Sequence, residues 1–234
     1  MKPLIVIQCR LSSSRLPAKA LLDLGGASLL QRVVERCQMV QSPSDIVIAT
    51  STNPEDAMIA DHATRLGVKS FRGSLEDVRQ RFIDCASEFG SDCVIRVTAD
   101  NPYTEPAFID DMIKAKMANP SCPYIVHDLD KVVYGTAGEL IDMKALTNNL
   151  SSLPGIGKEH TTSGLAQLPG AIKLVPSAPL SDENLSLTVD NLDQFHKVWA
   201  IMKTFGNGKD ALAKIVASFK ASDHPSLQFP VRSQ

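Results

Sequence analysis

The chain has 234 residues with 24 basic against 26 acidic side chains and a formal net charge of −2, so bulk charge calls for neither nucleic acid nor an anionic membrane surface. That length suits one large core, and the expectation is a single domain over residues 1–234. The start carries no long apolar segment ahead of a small-residue cleavage site, and no run of about 18 apolar residues follows, so a cytoplasmic protein without membrane insertion is expected.

The first predicted strand is Pro3 to Gln8, an apolar run that reads as buried and parallel. It opens into a hydroxyl-rich turn, Cys9 to Lys19, that carries Arg10, Arg15 and Lys19 among Ser12, Ser13 and Ser14. Small polar residues let backbone N–H groups turn toward an anion, while two guanidinium forks and an ammonium add charge-assisted bonds to phosphate oxygens. A surface loop with solvated cations is the plainer alternative. The pattern is neither G-x-x-x-x-G-K-[ST] nor G-x-G-x-x-G, so neither a P-loop ATPase nor a dinucleotide binder is indicated.

Ser28 can cap a helix in which Leu30, Val33, Val34, Cys37 and Val40 recur at helical spacing, with Arg32, Glu35 and Arg36 expected to face away. Asp45 to Thr50 is the second strand. Asn53, Pro54 and Glu55 start a second helix that Gly67 closes, and Val68 to Phe71 is the third strand. A helix from about Leu75 to Phe89 carries Val78, Phe82, Cys85 and Phe89 on one face; Arg81 within it stands four residues from Asp77, a spacing that permits an ion pair. Cys93 to Thr98 is the fourth strand, and within it Arg96 needs a carboxylate or phosphate partner that the sequence does not name. This alternation of strand and helix marks a parallel α/β sheet with crossover helices.

Beyond residue 120 the alternation loosens. Tyr124 to Asp128 and Lys131 to Tyr134 read as strands, Asp142 to Leu150 and Lys158 to Gln167 as helices, Leu185 to Asp190 as a half-buried strand, and Leu192 to Phe205 as a helix. The stretch from Asn149 to Ser181, rich in Pro, Gly and Ser, suits loops over a pocket.

Asp100 and Asp190 each follow a predicted strand and precede a helix, so a sheet can bring them to one edge beside the cationic loop. Two converging carboxylates there would hold Mg²⁺, which takes one or two protein carboxylates and completes its shell with phosphates and water. Taken singly, each also reads as an ordinary helix N-cap. Arg72, Gly73 and Ser74 could read a base or ribose, although a helix cap explains Ser74 equally well. Thr98, at the mouth of its strand, could bond the nucleotide or only the sheet edge. His160 could touch an acidic or phosphorylated substrate, or be structural.

The five cysteines form no C-x-x-C pair and read as core residues. Cys9 sits where a nearby cation would lower a thiol pKa, but no neighbouring His offers a base. The remaining histidines show no zinc-ligand spacing.

Residues from about 4 to 200 resemble the cytidylyltransferases of the spore-coat polysaccharide protein F type, related to CMP-Kdo and CMP-sialic acid synthetases. The resemblance is carried in order by Val6 to Lys19, Ala49 to Asp56, Phe71 to Val78 with Arg81, Arg96 to Pro102, Lys158 to Thr161 and Leu187 to Asp190. It implies a Rossmann-like nucleotidyltransferase fold, glycosyltransferase-A-like, with a mixed, mostly parallel sheet and helices on both faces. CTP would be the donor, Mg²⁺ would be held by Asp100 and Asp190, and Arg10, Arg15 and Lys19 would contact the triphosphate. Gln8, Ser12, Ser13, Arg72, Gly73, Ser74 and Thr98 fall on the nucleotide side. Asn101, Glu139 and His160 fall on the substrate side, in or beside a region of about residues 122–190 expected to supply a homodimer contact.

The implied acceptor is an acidic sugar of nonulosonate or octulosonate type. The alternatives are a sugar phosphate, alditol phosphate or phosphonate acceptor, or a catalytically weakened nucleotide-binding subunit. The sequence departs from the family pattern at Ser13 and Ala18, where the loop usually has glycine, and at Ala137, which replaces an aspartate beside Gly135 and Glu139. A position that requires φ > 0 would make either glycine replacement costly.

Overall fold

In a computed structural model describing residues 3–149, 162, 164–176, 180–182 and 185–221, the apolar run Leu4–Gln8 forms strand β1 near the middle of a 7-stranded sheet. The other strands are β2 (Asp45–Ser51), β3 (Lys69–Gly73), β4 (Cys93–Thr98), β5 (Tyr124–His127), β6 (Glu139–Asp142) and β7 (Ile172–Leu174). Their order is β3-β2-β1-β4-β6-β5-β7. Pairing is parallel throughout except at β6, which runs antiparallel to both β4 and β5.

Helices cover both faces, as the apolar stripes of the sequence require. On one face α1 (Leu29–Gln38), α2 (Ala57–Arg65) and α4 (Pro106–Ala118) bury Leu30, Val33, Ile59, Ile109 and Met112 against Ile5, Ile7, Ile48 and Ile95. On the other, α3 (Val78–Glu88) and α5 (Met143–Asn149) bury Val78, Phe82, Cys85 and Leu146 against Leu4, Val6, Val47 and Val94. A separate core joins α6 (Leu192–Phe205) and α7 (Ala211–Ala221) to Tyr103, Phe108, Val133, Leu187 and Val189. That third cluster fixes the segment just before α6 against the start of α4. No helix among the described residues is long and apolar enough to cross a membrane.

Ser28 caps α1 by accepting from Gln31 N at 3.0 Å, as its place in the sequence predicts. Arg36 does not face away. It is fully buried, with Nη2 on Glu105 at 2.6 Å, Nε on Thr104 O at 2.9 Å and Nη1 on Gly208 O at 2.8 Å. It lies one turn from Val33 and two from Leu29 on the buried stripe, and the carboxylate and carbonyls supply the partners a buried guanidinium requires. The third helix starts at Val78 rather than near Leu75, because Asp77 caps it through Gln80 N at 2.9 Å. The Arg81 guanidinium is buried, and its Nη1 donates to Ser74 O at 3.0 Å.

The second half departs further from the sequence expectation. Lys131 to Tyr134 and Leu185 to Asp190 form no strand; they make only isolated bridges, Val132 with Leu180 and Tyr134 with Ser186. Val132, Val133, Leu185, Leu187 and Val189 are buried in the cluster with α6 and α7 rather than in the sheet. Strands β6 and β7, absent from the expectation, fill the places nearest β4 and at the sheet edge. Of the helix expected over Lys158 to Gln167, the described residues are 162 and 164, in turns, and a 3-10 turn, Leu165–Gln167; residues 158–161 and 163 lie outside the described residues.

His127 is fully buried in β5 with its ring 4.9 Å from that of Phe108, and neither ring nitrogen has a hydrogen-bond partner in the described residues. Burial pulls its pKa down to about 4, a shift that the charge of Asp111 partly opposes. The folded state therefore favours the neutral ring: its contribution is fully present above the unfolded pKa near 6.5 and is lost as pH falls toward 4. Urea unfolding should show a loss of about 3 kcal/mol from this group between pH 7 and pH 4. His127→Leu should flatten that part of the profile; an unchanged profile would assign the acid lability elsewhere.

Candidate active site

Side chains two residues apart on a strand share a face, and along one face of the central strands the sequence changes from apolar to polar. Leu4 and Val6 give way to Gln8 on β1, and Val94 gives way to Arg96 and Thr98 on β4. Gln8 pairs in register with Thr98, so the loops leaving both strands begin at the same sheet edge. The chain leaves β1 toward β2 on one side and finds β4 on the other, the switch point at which open α/β sheets bind ligands.

The loop after β1 is tied at Leu11. Its carbonyl accepts from Ser13 N at 2.8 Å and Ala18 N at 2.9 Å, while Leu11 N donates to Asp56 Oδ1 at 2.8 Å. Asp56 is fully buried, and its other oxygen accepts from Ser51 Oγ. The sequence marks this segment as a helix start and as part of the family resemblance without giving Asp56 a role; its carboxylate is the anchor of the cationic loop. Cys9 is buried, and burial with the nearby Asp56 and Asp100 charges pushes its thiol pKa up, outweighing Arg81 and Lys19. It is a core residue rather than a nucleophile.

Lys19 Nζ lies 2.9 Å from Asp100 Oδ2, 3.1 Å from Asp190 Oδ1 and 2.8 Å from Val189 O. Arg15 Nη2 reaches the same Asp190 oxygen at 3.1 Å. A backbone bond from Val189 N to Asp100 O, 2.9 Å, holds the two aspartate segments side by side. Neither aspartate caps a helix: Asn191 caps α6 and Glu105 caps α4. Both carboxylates thus address one point, and two hard oxygen donors there could hold a divalent cation. Among the described residues, no cluster of three or more His, Cys, Asp or Glu offers an all-protein metal cage.

Two clefts meet at this point, each within the usual size range of small-molecule sites. One, of about 350 Å³, is lined by Gln8, Arg10, Ser13, Arg15 and Lys19. The other, of about 360 Å³, is lined by Asn101, Tyr134, Ala137, Glu139 and Thr188. Arg96, Thr98, Asp100 and Asp190 line both. Ser12 is exposed and lines neither, Ser14 taking the expected place.

Arg72, Gly73 and Ser74 also stand apart from both clefts. Arg72 is spent on the backbone, donating to Ser51 O at 3.0 Å and Asn53 O at 2.7 Å, and Ser74 Oγ accepts from Asp77 N at 2.9 Å. Gly73 is required by space, since a Cβ there would meet Phe71 at 2.7 Å and Arg81 at 3.0 Å. Thr98 Oγ1 accepts from Asn101 Nδ2 at 2.9 Å. His160 lies outside the described residues.

The partner of Arg96 is Glu139, directly opposite it in the β4–β6 register. Arg96 Nε donates to Gln8 Oε1 at 3.0 Å, and Tyr124 Oη donates to the other oxygen of Glu139. Tyr124 goes unnoticed in the sequence because only strand pairing brings it to the site. Gly135, at φ 87°, is fixed by the approach of the next segment: a Cβ would lie 2.7 Å from Thr188 N.

A family model described as cytidylyltransferase matches residues 4–153. The chain belongs to the cytidylyltransferase family. The spore coat polysaccharide biosynthesis protein SpsF of Bacillus subtilis is 29% identical over 220 residues, 90% of each chain. A 3-deoxy-manno-octulosonate cytidylyltransferase of Geobacter sulfurreducens is 32% identical over 123 residues, 50% of this chain and 46% of that enzyme, so the match spans about half of its length. Among solved structures, a cytidylyltransferase of Leptospira borgpetersenii superposes over 100% of both chains with a TM-score of 0.85 at 20% identity. The CMP:2-keto-3-deoxy-manno-octonic acid synthetase complexed with CTP covers 87% of this chain and 99% of its own, with a TM-score of 0.65 at 20% identity. Both show the nucleotidyltransferase fold.

In this cytidylyltransferase the two loop departures from glycine have different costs. Ala18 sits at φ 55°, ψ 21°, and among the described residues no other side-chain-bearing residue has positive φ, Ser13 included. Ala18→Gly should therefore stabilise the protein by about 0.5–1 kcal/mol in urea unfolding, since relief of the left-handed penalty exceeds glycine's entropic cost. Ala18→Val should destabilise it, whereas Ser13→Gly should bring no comparable gain.

Proposed function

We propose that this cytidylyltransferase transfers CMP from CTP to an acidic sugar of octulosonate or nonulosonate type, releasing pyrophosphate, as a step toward a surface polysaccharide. The observation that carries the reading is the convergence of Lys19, Asp100 and Asp190 at the junction of two clefts, with Arg15 on the same carboxylate. One cleft is rich in cations and hydroxyls, as a triphosphate needs; the other has a mixed polar and apolar wall, as a sugar needs. The names of the Bacillus and Geobacter relatives support the pathway and the acceptor class.

In this reading Gln8, Arg10, Ser13 and Thr98 bind the nucleotide, and Arg10, Arg15 and Lys19 hold its phosphates. An acceptor hydroxyl oxygen forms a bond to the α-phosphorus as the bond to the bridging oxygen breaks, and the hydroxyl proton passes to solvent. Lys19 and Arg15 stabilise charge that grows on the phosphoryl and leaving-group oxygens. Asp100 and Asp190 would hold Mg²⁺, which supplies Lewis-acid stabilisation of the same charge. Asn101 and Glu139 face the acceptor, and positioning of the two reactants across shared residues accounts for much of the rate. The protein works in the cytoplasm as a homodimer, with its contact in the region of residues 122–190, where Leu129 and Tyr134 expose apolar surface beside the acceptor cleft.

Pyrophosphate release from CTP should require both Mg²⁺ and an acidic sugar, and chelation of the divalent ion should abolish it. Asp100→Ala and Asp190→Ala should each lower kcat/KM by at least about 100-fold. Undiminished turnover by either variant would remove the metal assignment; ATP, GTP or UTP used as well as CTP would remove the donor assignment.

A further inference from the structure

Arg96 lines both clefts, and of the described residues lining the acceptor cleft it alone is cationic. Its guanidinium is held on two sides: Nε by Gln8 Oε1 and Nη1 by Glu139, which Tyr124 Oη holds in turn. Nη2 has no hydrogen bond to any described residue, and it is not among the buried unpartnered atoms. A planar fork fixed by a carboxylate and an amide, with one terminal nitrogen that no described residue takes up at a cleft, is preorganised to receive a ligand oxygen rather than to stabilise the sheet alone. Val126, which pairs with Glu139 on the next strand, and Leu129, Val132, Val133 and Ala137 line the same cleft without charge and suit the carbon skeleton of a deoxygenated sugar.

We propose that Arg96 is the specificity residue of the acceptor site and receives the carboxylate of the acceptor sugar through Nη2. Glu139 is a positioning residue: it fixes the guanidinium plane through Nη1, and Tyr124 and Gln8 hold the pair in place. This inference rests on the acidic-sugar reading above and names the group that reads the acid.

The test compares an octulosonate and a nonulosonate, each as the free acid and as its C1 amide, in pyrophosphate release from CTP by the full chain with Mg²⁺. The wild-type enzyme should prefer acid over amide by about 10- to 100-fold in kcat/KM, the usual worth of a hydrogen bond to a charged group. Arg96→Gln should collapse that ratio toward one by raising the KM of the acid. Arg96→Lys, which keeps the charge but not the fork, should retain part of the ratio. Glu139→Gln should lower the ratio less than Arg96→Gln.

A merely structural role for Arg96 would depress turnover of acid and amide alike and leave the ratio intact, which would overturn the proposal. Equal use of acid and amide by the wild-type enzyme would overturn it too, without needing a folded variant. Absence of pyrophosphate release with every acceptor would instead overturn the acidic-sugar reading, and this inference with it.

Discussion

One ammonium group holds the site together. Lys19 reaches Asp100 across 81 residues of sequence and Asp190 across 171, and its third bond, to Val189 O, fixes the backbone that carries the second aspartate. Its side chain is 13% exposed, so these charge-assisted bonds lie outside bulk solvent, where screening is weak. Three separate pieces of the fold must be in place for the contact to form: the end of β1, the end of β4 and the segment before α6. The first two are fixed by parallel pairing with Gln8 opposite Thr98, and the third by the cluster that packs Val189 and Leu187 under α6 and α7.

The strands themselves divide structure from chemistry. On β1 and β4 the residues facing α3 are apolar at the strand start and polar at its end, so the same alternation that buries Val6 and Val94 delivers Gln8, Arg96 and Thr98 to the cleft floor. Because side-chain direction has period two, a one-residue slip would bury these polar groups among Ile5, Ile7 and Ile95 and bring apolar side chains to the cleft floor. The register that builds the core therefore also builds the site.

This explains what the sequence reveals and what it hides. The first half is readable because its parallel strands are short continuous apolar runs separated by capped helices, so Leu4–Gln8, Asp45–Ser51 and Cys93–Thr98 stand out. The cationic loop and Asp100 follow from that pattern, whereas Asp190 is reached from the alternation of Leu185 to Asp190, which forms no strand. The second half is not, because β6 and β7 have only 4 and 3 residues and gain their place by pairing rather than by local pattern. Leu185 to Asp190 shows the converse: its alternation is real, but the buried side chains meet helices, which leaves no ladder. Arg36 and Arg96 look alike as charges in apolar surroundings. Only tertiary structure supplies Glu105 for one and Glu139 for the other, and only the second pair opens on a cleft.

A chain that is nearly neutral overall can still select a polyanion if its cations are held where the anion arrives. Here Arg15 and Lys19 are already paired with carboxylates, so a triphosphate must compete with Asp100 and Asp190 for them. On the proposed reading a divalent ion resolves that competition: as the phosphates take the ammonium and guanidinium, the two aspartates gain a partner of higher charge instead of being left unpaired in a sheltered site. Nucleotide and metal should then bind with positive coupling, each removing a cost the other would otherwise meet. On that proposal Arg96 also differs from the cations that would hold the phosphates. Its charge is balanced by Glu139 rather than by the aspartate pair, so it stays fixed while Lys19 and Arg15 change partners, and one site can hold its acceptor and its donor by independent means.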